Sequence, residues 1–286
     1  MYIYIYYFQP FFLKKMYHLL KIFVLQFIFT FVSVDANEIK PEAFTWNDGL
    51  KEELFEGSQL HNGEHLFSLV TPYRAEDAAM VPISVKFFEN QENKNFVDKL
   101  HIVVDENPAP LVASFNMTTK TGNAEISTRV RVDKYTYIRA IAEYNDGKKY
   151  MVSNFVKASG GCSAPSLGDM DTVMARLGKM KMKFINTGKI GDLNKAQFII
   201  SHPNFSGLQF NQLTRSEIPA HFVENVRITQ DNETILNINT DISLSEDPSF
   251  TFFYRNSGGL IRVRVKDSEG QVYLKEWSLN ETLTSN

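Results

Sequence analysis

Much of the chain after residue 80 alternates apolar with polar residues, which is the pattern of a β-strand that buries one face. In residues 125–132, Ile126, Thr128 and Val130 lie on one face, while a serine and two arginines lie on the other. A repeat of two residues fits a half-buried antiparallel strand. No long helical repeat separates these segments, so the sequence predicts an all-β fold.

The predicted strands fall into two groups. Those of the first group are Val81–Phe88, Leu100–Val104, Pro110–Thr118, Glu125–Val132, Tyr135–Tyr144 and Lys148–Val156. Those of the second group are Lys179–Phe184, Ala196–Ser201, Phe222–Thr229, Glu233–Asn239, Phe250–Tyr254, Leu260–Lys266 and Gln271–Trp277. Asn145-Asp146-Gly147 predicts a tight hairpin turn, because Asp-Gly suits positive backbone angles. Each group is long enough for a β-sandwich, and the second is expected to be independent of the first.

Short helices are expected only at the beginning of the first group and between the groups. Residues 43–57 place apolar side chains at helical spacing and end at Gly57, where a helix would stop. The segment 159–178 changes composition, since Ser159–Gly168 is rich in glycine and other small residues. Asp169–Leu177 could then form a short helix that ends at Gly178. The sequence therefore predicts domains at 37–158 and 179–286, joined by a glycine-rich arm at 159–178.

Residues 1–36 have the pattern of a secretory signal peptide. Three lysines precede the apolar stretch Ile22–Val34, and a small residue, Ala36, closes the segment. The alternative is a membrane anchor, but the apolar stretch is shorter than the roughly 20 residues that a spanning helix needs. We expect cleavage after Ala36, export to the periplasm and no membrane attachment afterwards. Translation could begin at Met1 or at Met16.

Composition excludes several classes of protein. A single cysteine permits no internal disulfide and no multi-thiolate zinc or iron–sulfur site. A formal net charge of −3 gives no electrostatic basis for binding nucleic acid. The sequence also contains no phosphate-binding loop, dinucleotide-binding glycine motif or Ser-His-Asp signature. These exclusions leave the cysteine as the main candidate for chemistry.

The cysteine, Cys162, lies within the glycine-rich arm and follows Gly160 and Gly161. Glycines allow many backbone conformations, and the adjoining sequence offers no apolar residues to cover a thiol. We therefore expect Cys162 to be exposed and mobile, as a carrier arm requires. One alternative is a small buried hydrophobic residue, which is a common role for a lone cysteine. Another is a catalytic nucleophile, although a glycine-rich linker is a poor place for a rigid catalytic site.

Several motifs resemble the sulfur-carrier families SoxY and SoxZ, in the fused form associated with quinoprotein dehydrogenases. The SoxY-like motifs are Val81–Val85, Asp105–Pro110, Ala113–Phe115, Ala124–Arg131 and Gly160–Cys162. The SoxZ-like motifs are Ile200–Pro203, Ile218–Phe222 and Asp247–Phe252. They occur in family order over residues 43–278.

The resemblance implies two immunoglobulin-like sandwiches packed together, a SoxY-like domain at 37–158 and a SoxZ-like domain at 179–286, with no metal and no organic cofactor. It implies a non-catalytic periplasmic carrier. Sulfur-oxidation intermediates would be bound covalently at Cys162, with Gly160 and Gly161 as the hinge of the arm. The expected partners are periplasmic sulfur-oxidising enzymes or quinoprotein dehydrogenases. One departure is that a second domain follows Cys162, whereas the family's SoxY ends in a free arm.

Other functions stay open at the level of sequence. The chain could instead be an accessory binding protein of a quinoprotein alcohol dehydrogenase system, in which the cysteine is secondary. His61 and His65 are predicted to lie in a solvated loop. His202 and His221 are predicted to satisfy backbone groups at strand ends or at the seam between the domains. The methionines near the arm, which could bind Cu(I), are better explained as apolar faces of a helix and a strand; they are Met170, Met174, Met180 and Met182.

Overall fold

The computed structural model describes residues 41–91, 94–165, 170–211 and 214–279. The described residues from Glu42 onward belong to one compact unit. The predicted signal peptide at residues 1–36 lies outside the described residues. Within the described residues, every helix is too short or too polar to cross a membrane.

Strands dominate the architecture. Two helical segments, Trp46–Leu50 and Lys51–Phe55, together make α1, and α2 spans Met170–Ala175. The strands up to residue 156 are β1 (Leu60–Asn62), β2 (Phe67–Val70), β3 (Val81–Phe87), β4 (Val97–Val104), β5 (Leu111–Met117), β6 (Ile126–Val130), β7 (Thr136–Tyr144) and β8 (Lys149–Val156). The later strands are β9 (Met180–Asn186), β10 (Leu193–Ile200), β11 (Phe210–Asn211), β12 (Ser216–Glu217), β13 (Val223–Gln230), β14 (Glu233–Thr240), β15 (Ser249–Arg255), β16 (Ile261–Asp267) and β17 (Val272–Trp277). The predicted all-β fold is confirmed.

Two large sheets contain almost all of these strands. The nine-stranded sheet has the order β1-β8-β7-β4-β5-β14-β13-β16-β17. The six-stranded sheet has the order β2-β3-β6-β15-β10-β9, and β11 pairs with β12 as a separate ribbon. Their facing surfaces enclose one apolar core. This is the layered arrangement of a β-sandwich.

Both large sheets run through both halves of the chain. In the nine-stranded sheet β5 pairs with β14, so that Phe115 lies opposite Ile238. In the six-stranded sheet β6 pairs with β15, where Ser127 lies opposite Thr251. A single core cluster includes buried residues from both halves. The second sandwich is therefore not independent of the first, and that part of the sequence prediction is wrong, because edge strands of the two halves complete each other's hydrogen bonding.

Aromatic packing also crosses the seam between the halves. Phe115 of β5 contacts Phe250 of β15 edge to face, with ring centroids 5.9 Å apart, and both side chains are fully buried. Such a pair contributes about 0.5–1.5 kcal/mol beyond the burial of its area. The two halves are thus joined by side-chain packing as well as by strand pairing.

The predicted N-terminal helix is confirmed, although it is kinked. Trp46 and Phe55 are buried against the outer surface of the nine-stranded sheet, in a small cluster that includes Val103. The kink lies at Gly49, whose φ of 157° is not helical. The helix ends when Glu56 adopts a left-handed conformation.

Candidate functional site

The Cys162 segment, residues 159–165, is docked against the six-stranded sheet. After β8, the Gly160 N–H donates to the Asp133 carbonyl at 2.8 Å and the Gly161 N–H donates to the Val132 carbonyl at 2.9 Å. These two bonds continue the hydrogen bonding beyond the end of β6. Gly160 has a φ of 79°, which favours glycine, and a Cβ added there would meet no other atom within 4 Å.

Gly161 is required by close packing of the backbone. A Cβ at this position would lie 2.1 Å from the Ala78 carbonyl oxygen and 2.7 Å from the Val132 carbonyl oxygen. Backbone atoms on both sides leave room only for hydrogen. In the docked arrangement Gly161 therefore acts as a close-contact residue, and the hinge role of Gly160 and Gly161 stays a prediction.

Cys162 is buried in this segment, with 0% of its surface exposed. The expectation of an exposed and mobile thiol is therefore wrong for this conformation. The local sequence lacks apolar cover, but the segment packs closely against distant parts of the chain, as the backbone of Ala78 beside Gly161 shows. Burial as a small hydrophobic residue is the alternative that the sequence also allows for a lone cysteine.

Burial also controls the chemistry of the thiol. It raises the pKa of Cys162 to about 12, and the Asp133 carboxylate acts in the same direction, while the positive charge of Arg131 opposes the change. At neutral pH the docked thiol is therefore protonated. Since the thiolate is the reactive form, the docked Cys162 is a poor nucleophile.

Three side chains hold the Cys162 segment through its carbonyl groups. Arg131 Nη1 donates to the Gly161 carbonyl at 3.0 Å, and Gln209 Nε2 donates to the Ala164 carbonyl at 2.9 Å. The Ser206 hydroxyl donates to the Cys162 carbonyl. Arg131 follows β6 in the first half, whereas Ser206 and Gln209 belong to the loop after β10 in the second half. The segment is thus clamped at the junction of the two halves.

A histidine–aspartate cluster lies elsewhere in the second half. His221 Nε2 is 3.0 Å from Asp267 Oδ2, and the His202 and His221 rings meet edge to face with centroids 4.6 Å apart. Burial, followed by the charge of His221, lowers the pKa of His202 to about 4. The prediction that His202 satisfies a backbone group is confirmed, since its Nδ1 accepts the Asn204 N–H at 3.1 Å. His221 instead pairs with a carboxylate.

The same cluster offers the donor atoms of a metal site, because one ligand atom each from His202, His221 and Asp267 lie within 4.8 Å of one another. The tautomer of His202 argues against that use. Its Nδ1 accepts a hydrogen bond from the Asn204 N–H, so in the neutral ring the proton lies on Nε2. Nε2 faces Asp267 Oδ2 at 3.7 Å. A protonated Nε2 has no lone pair for an ion, so His202 is not arranged as a metal ligand; its Nε2 is buried without a hydrogen-bond partner among the described residues.

The weaker sequence signals occupy structural positions. Met180 and Met182 are buried on β9, as the strand alternative predicts, and Met174 of α2 is 40% exposed. His61 lies on β1 rather than in a loop, and its ring contacts Tyr150 with centroids 5.5 Å apart. Met180 and Met182 thus belong to the apolar core cluster.

The fold and the site together define the class of protein. Two joined β-sandwich halves hold a segment that carries a single, buried cysteine. Residues 51–162 match the family described as sulfur oxidation protein SoxY. Residues 182–278 match the family described as sulphur oxidation protein SoxZ. The chain therefore belongs to the SoxY and SoxZ families, with the SoxY part followed by the SoxZ part. Association with quinoprotein dehydrogenases stays a prediction.

Solved structures resemble the chain in part. The sulfur carrier protein SoxY from Chlorobium limicola f thiosulfatophilum has 24% identity over 41% of this chain and 96% of its own, with a TM-score of 0.34. A putative superoxide reductase from Thermotoga maritima has 11% identity over 36% of this chain and 95% of its own, with a TM-score of 0.29. TM-scores this low support no functional argument. No curated protein matches the chain.

Proposed function

We propose that the chain is a periplasmic carrier that binds sulfur-compound intermediates covalently at Cys162 and presents them to partner enzymes. The observation that supports this proposal most is the placement of the single thiol. It lies on a short segment that both halves clamp, in a chain whose two parts match sulfur-oxidation families.

Loading requires release of the segment. With its pKa raised to about 12, the docked thiol supplies little thiolate, whereas a solvent-exposed cysteine has a pKa of about 8.5. The released thiolate forms a sulfur–sulfur bond with the terminal sulfur of thiosulfate. The thiol loses its proton to solvent when it ionises, and formation of the sulfur–sulfur bond releases two electrons to an oxidising partner enzyme. The product is a thiosulfonate-type adduct with one negative charge.

Docking protects the thiol between loading events. An unpaired thiol in an oxidising compartment is readily oxidised unless it is covered. A neutral hydrogen bond to the segment contributes on the order of 1 kcal/mol, and the bond from Arg131 about 1.5–3 kcal/mol. Release breaks these bonds and the backbone bonds of Gly160 and Gly161, but it leaves the strand pairing of the sandwich in place. The chemistry belongs to the partner enzymes, and this chain acts as the carrier.

A strain that carries Cys162→Ser tests the proposal. We expect cells with this variant to stop consuming thiosulfate, while Ser163→Ala, which alters the exposed neighbouring side chain, leaves consumption unchanged. The alternative role, an accessory of a quinoprotein dehydrogenase, predicts normal thiosulfate consumption in both strains. Thiosulfate consumption at the normal rate in the Cys162→Ser strain would overturn the carrier proposal.

A further inference from the structure

Two arginines of the first half are almost completely buried, and only one has a counter-ion. Arg139 is 4% exposed and Arg131 is 2% exposed. Arg139 donates from Nε to Asp105 Oδ1 at 2.8 Å and from Nη2 to Asp105 Oδ2 at 2.7 Å. This two-point contact is the strong, oriented way in which a guanidinium binds an anion.

The corresponding edge of Arg131 is nearly empty. Its Nε has no hydrogen-bond partner, and its Nη2 reaches only the Asn204 carbonyl at 3.3 Å. Nη1 donates to the Gly161 carbonyl at 3.0 Å, so both acceptors are neutral carbonyls. No carboxylate of the described residues forms an ion pair with Arg131. Glu246 and Asp77 act on it only at longer range.

An uncompensated buried charge is costly, and proteins normally pair it. Burial lowers the pKa of Arg131, and a negative charge on Cys162 would oppose that change more strongly than Glu246 or Asp77 does. The docked thiol is protonated, so it supplies no negative charge. The site therefore combines a guanidinium edge whose Nε is unpaired and whose Nη2 has only a neutral acceptor with a sulfur that is neutral when unloaded.

We propose that the Nε and Nη2 edge of Arg131 binds the negatively charged end of the group carried on Cys162, a sulfonate or a persulfide. This inference rests on the proposed carrier function and adds the residue that recognises the charge of the cargo. Sulfonate oxygens match the two-point geometry that Arg139 uses with Asp105. Because Nη1 is separate from this edge, Arg131 can keep its bond to Gly161 and bind the cargo as well. Arg131 is thus a binding residue for the anionic adduct.

The test uses the full chain with two defined adducts on Cys162. Tetrathionate reacts with the thiol to give the anionic Cys–S–S–SO₃⁻ adduct, releasing one thiosulfate and one proton. Methyl methanethiosulfonate gives the neutral methyl disulfide and releases methanesulfinic acid. Both reactions are run in urea, where the thiol is accessible, and the protein is then refolded; intact mass verifies complete loading. Urea unfolding of each form then compares their stability.

In the wild type, we expect the anionic adduct to lower the unfolding equilibrium constant about 10- to 100-fold relative to the methyl adduct, as hydrogen bonds to a charged group do. In Arg131→Gln that difference should disappear, and in Arg131→Lys it should be reduced. The matched control is Arg129→Gln, on the same strand face, where the full difference should remain. Each comparison is made between two adducts of the same variant, so any loss of stability from the substitution itself cancels. If Arg131→Gln does not refold, the comparison of Arg131→Lys with the wild type decides the result.

Equal stability of the two wild-type adducts would overturn the inference, and so would an undiminished difference in both Arg131 variants. These outcomes are independent of the proposed function, because loading is chemical. Failure of the carrier proposal is instead seen as normal thiosulfate consumption by the Cys162→Ser strain.

Discussion

Replacing Gly161 by alanine should release the Cys162 segment. The added Cβ would lie 2.1 Å from the Ala78 carbonyl oxygen, whereas ordinary contact begins at 3.4 Å. Both obstructing groups are backbone, so they cannot move aside like the end of a flexible side chain. Overpacking of this kind costs about 1–3 kcal/mol. The segment can avoid that cost by undocking, so the undocked fraction should rise about 5- to 150-fold.

The reactivity of Cys162 towards an aromatic disulfide reagent at pH 7 measures the undocked fraction. The docked thiol is covered and its pKa is raised to about 12, so reaction proceeds through the undocked form. We expect Gly161→Ala to react faster by the same 5- to 150-fold. Gly147→Ala is the control, because it adds a Cβ in the distant β7–β8 turn, where the space around Gly147 is open.

Two results would refute this reasoning. One is a wild-type thiol that reacts as fast in the folded protein as in urea. The other is a Gly161→Ala variant that reacts no faster than Gly147→Ala, which would mean that close packing at Gly161 does not hold the segment.

Four further predictions concern stability and docking. Asp105→Asn leaves Arg139 without its buried counter-ion and should cost about 3–5 kcal/mol in urea unfolding. Ile238→Ala at the seam should cost about 2–5 kcal/mol, yet unfolding should remain a single transition because the core is shared. The pKa of His202 is about 4 in the folded protein, below its ordinary value of 6.5. Between pH 6.5 and 4 the unfolded chain therefore binds more protons, and the free energy of unfolding should fall as the pH drops. His202→Asn should flatten the resulting decline in melting temperature. Gln209→Ala should raise thiol reactivity several-fold by removing one hydrogen bond.

The fold was largely predictable because strand alternation is a local property. The alternation over residues 125–132 contains β6, and Asn145–Gly147 forms the predicted turn, with Gly147 in the positive-φ conformation that Asp-Gly favours. The short strands β1 and β2 were missed, since three or four residues are too few for a clear period. The joining of the two sandwiches was also missed, because pairing between β5 and β14 depends on edges that lie far apart in sequence.

The residue at the centre of the site was predictable from the sequence, but the groups that surround it were not. The single cysteine among glycines identified Cys162, yet the groups that hold its segment in place are Ala78, Arg131, Ser206 and Gln209, which no local pattern connects to it. Arg131 gave no signal of its own, since an arginine on the polar face of a predicted strand is normally exposed. Its burial arises only because the Cys162 segment and the loop after β10 cover that face.

The central claim, that Cys162 carries a covalent sulfur cargo, is tested most directly by the intact mass of the protein isolated from the cells that produce it. Cells given reduced sulfur compounds should yield protein with added mass that a thiol reductant removes and that peptide mapping places on Cys162. Cys162→Ser protein from the same cells should have only its unmodified mass. An unmodified thiol in both resting and sulfur-fed cells would contradict the account.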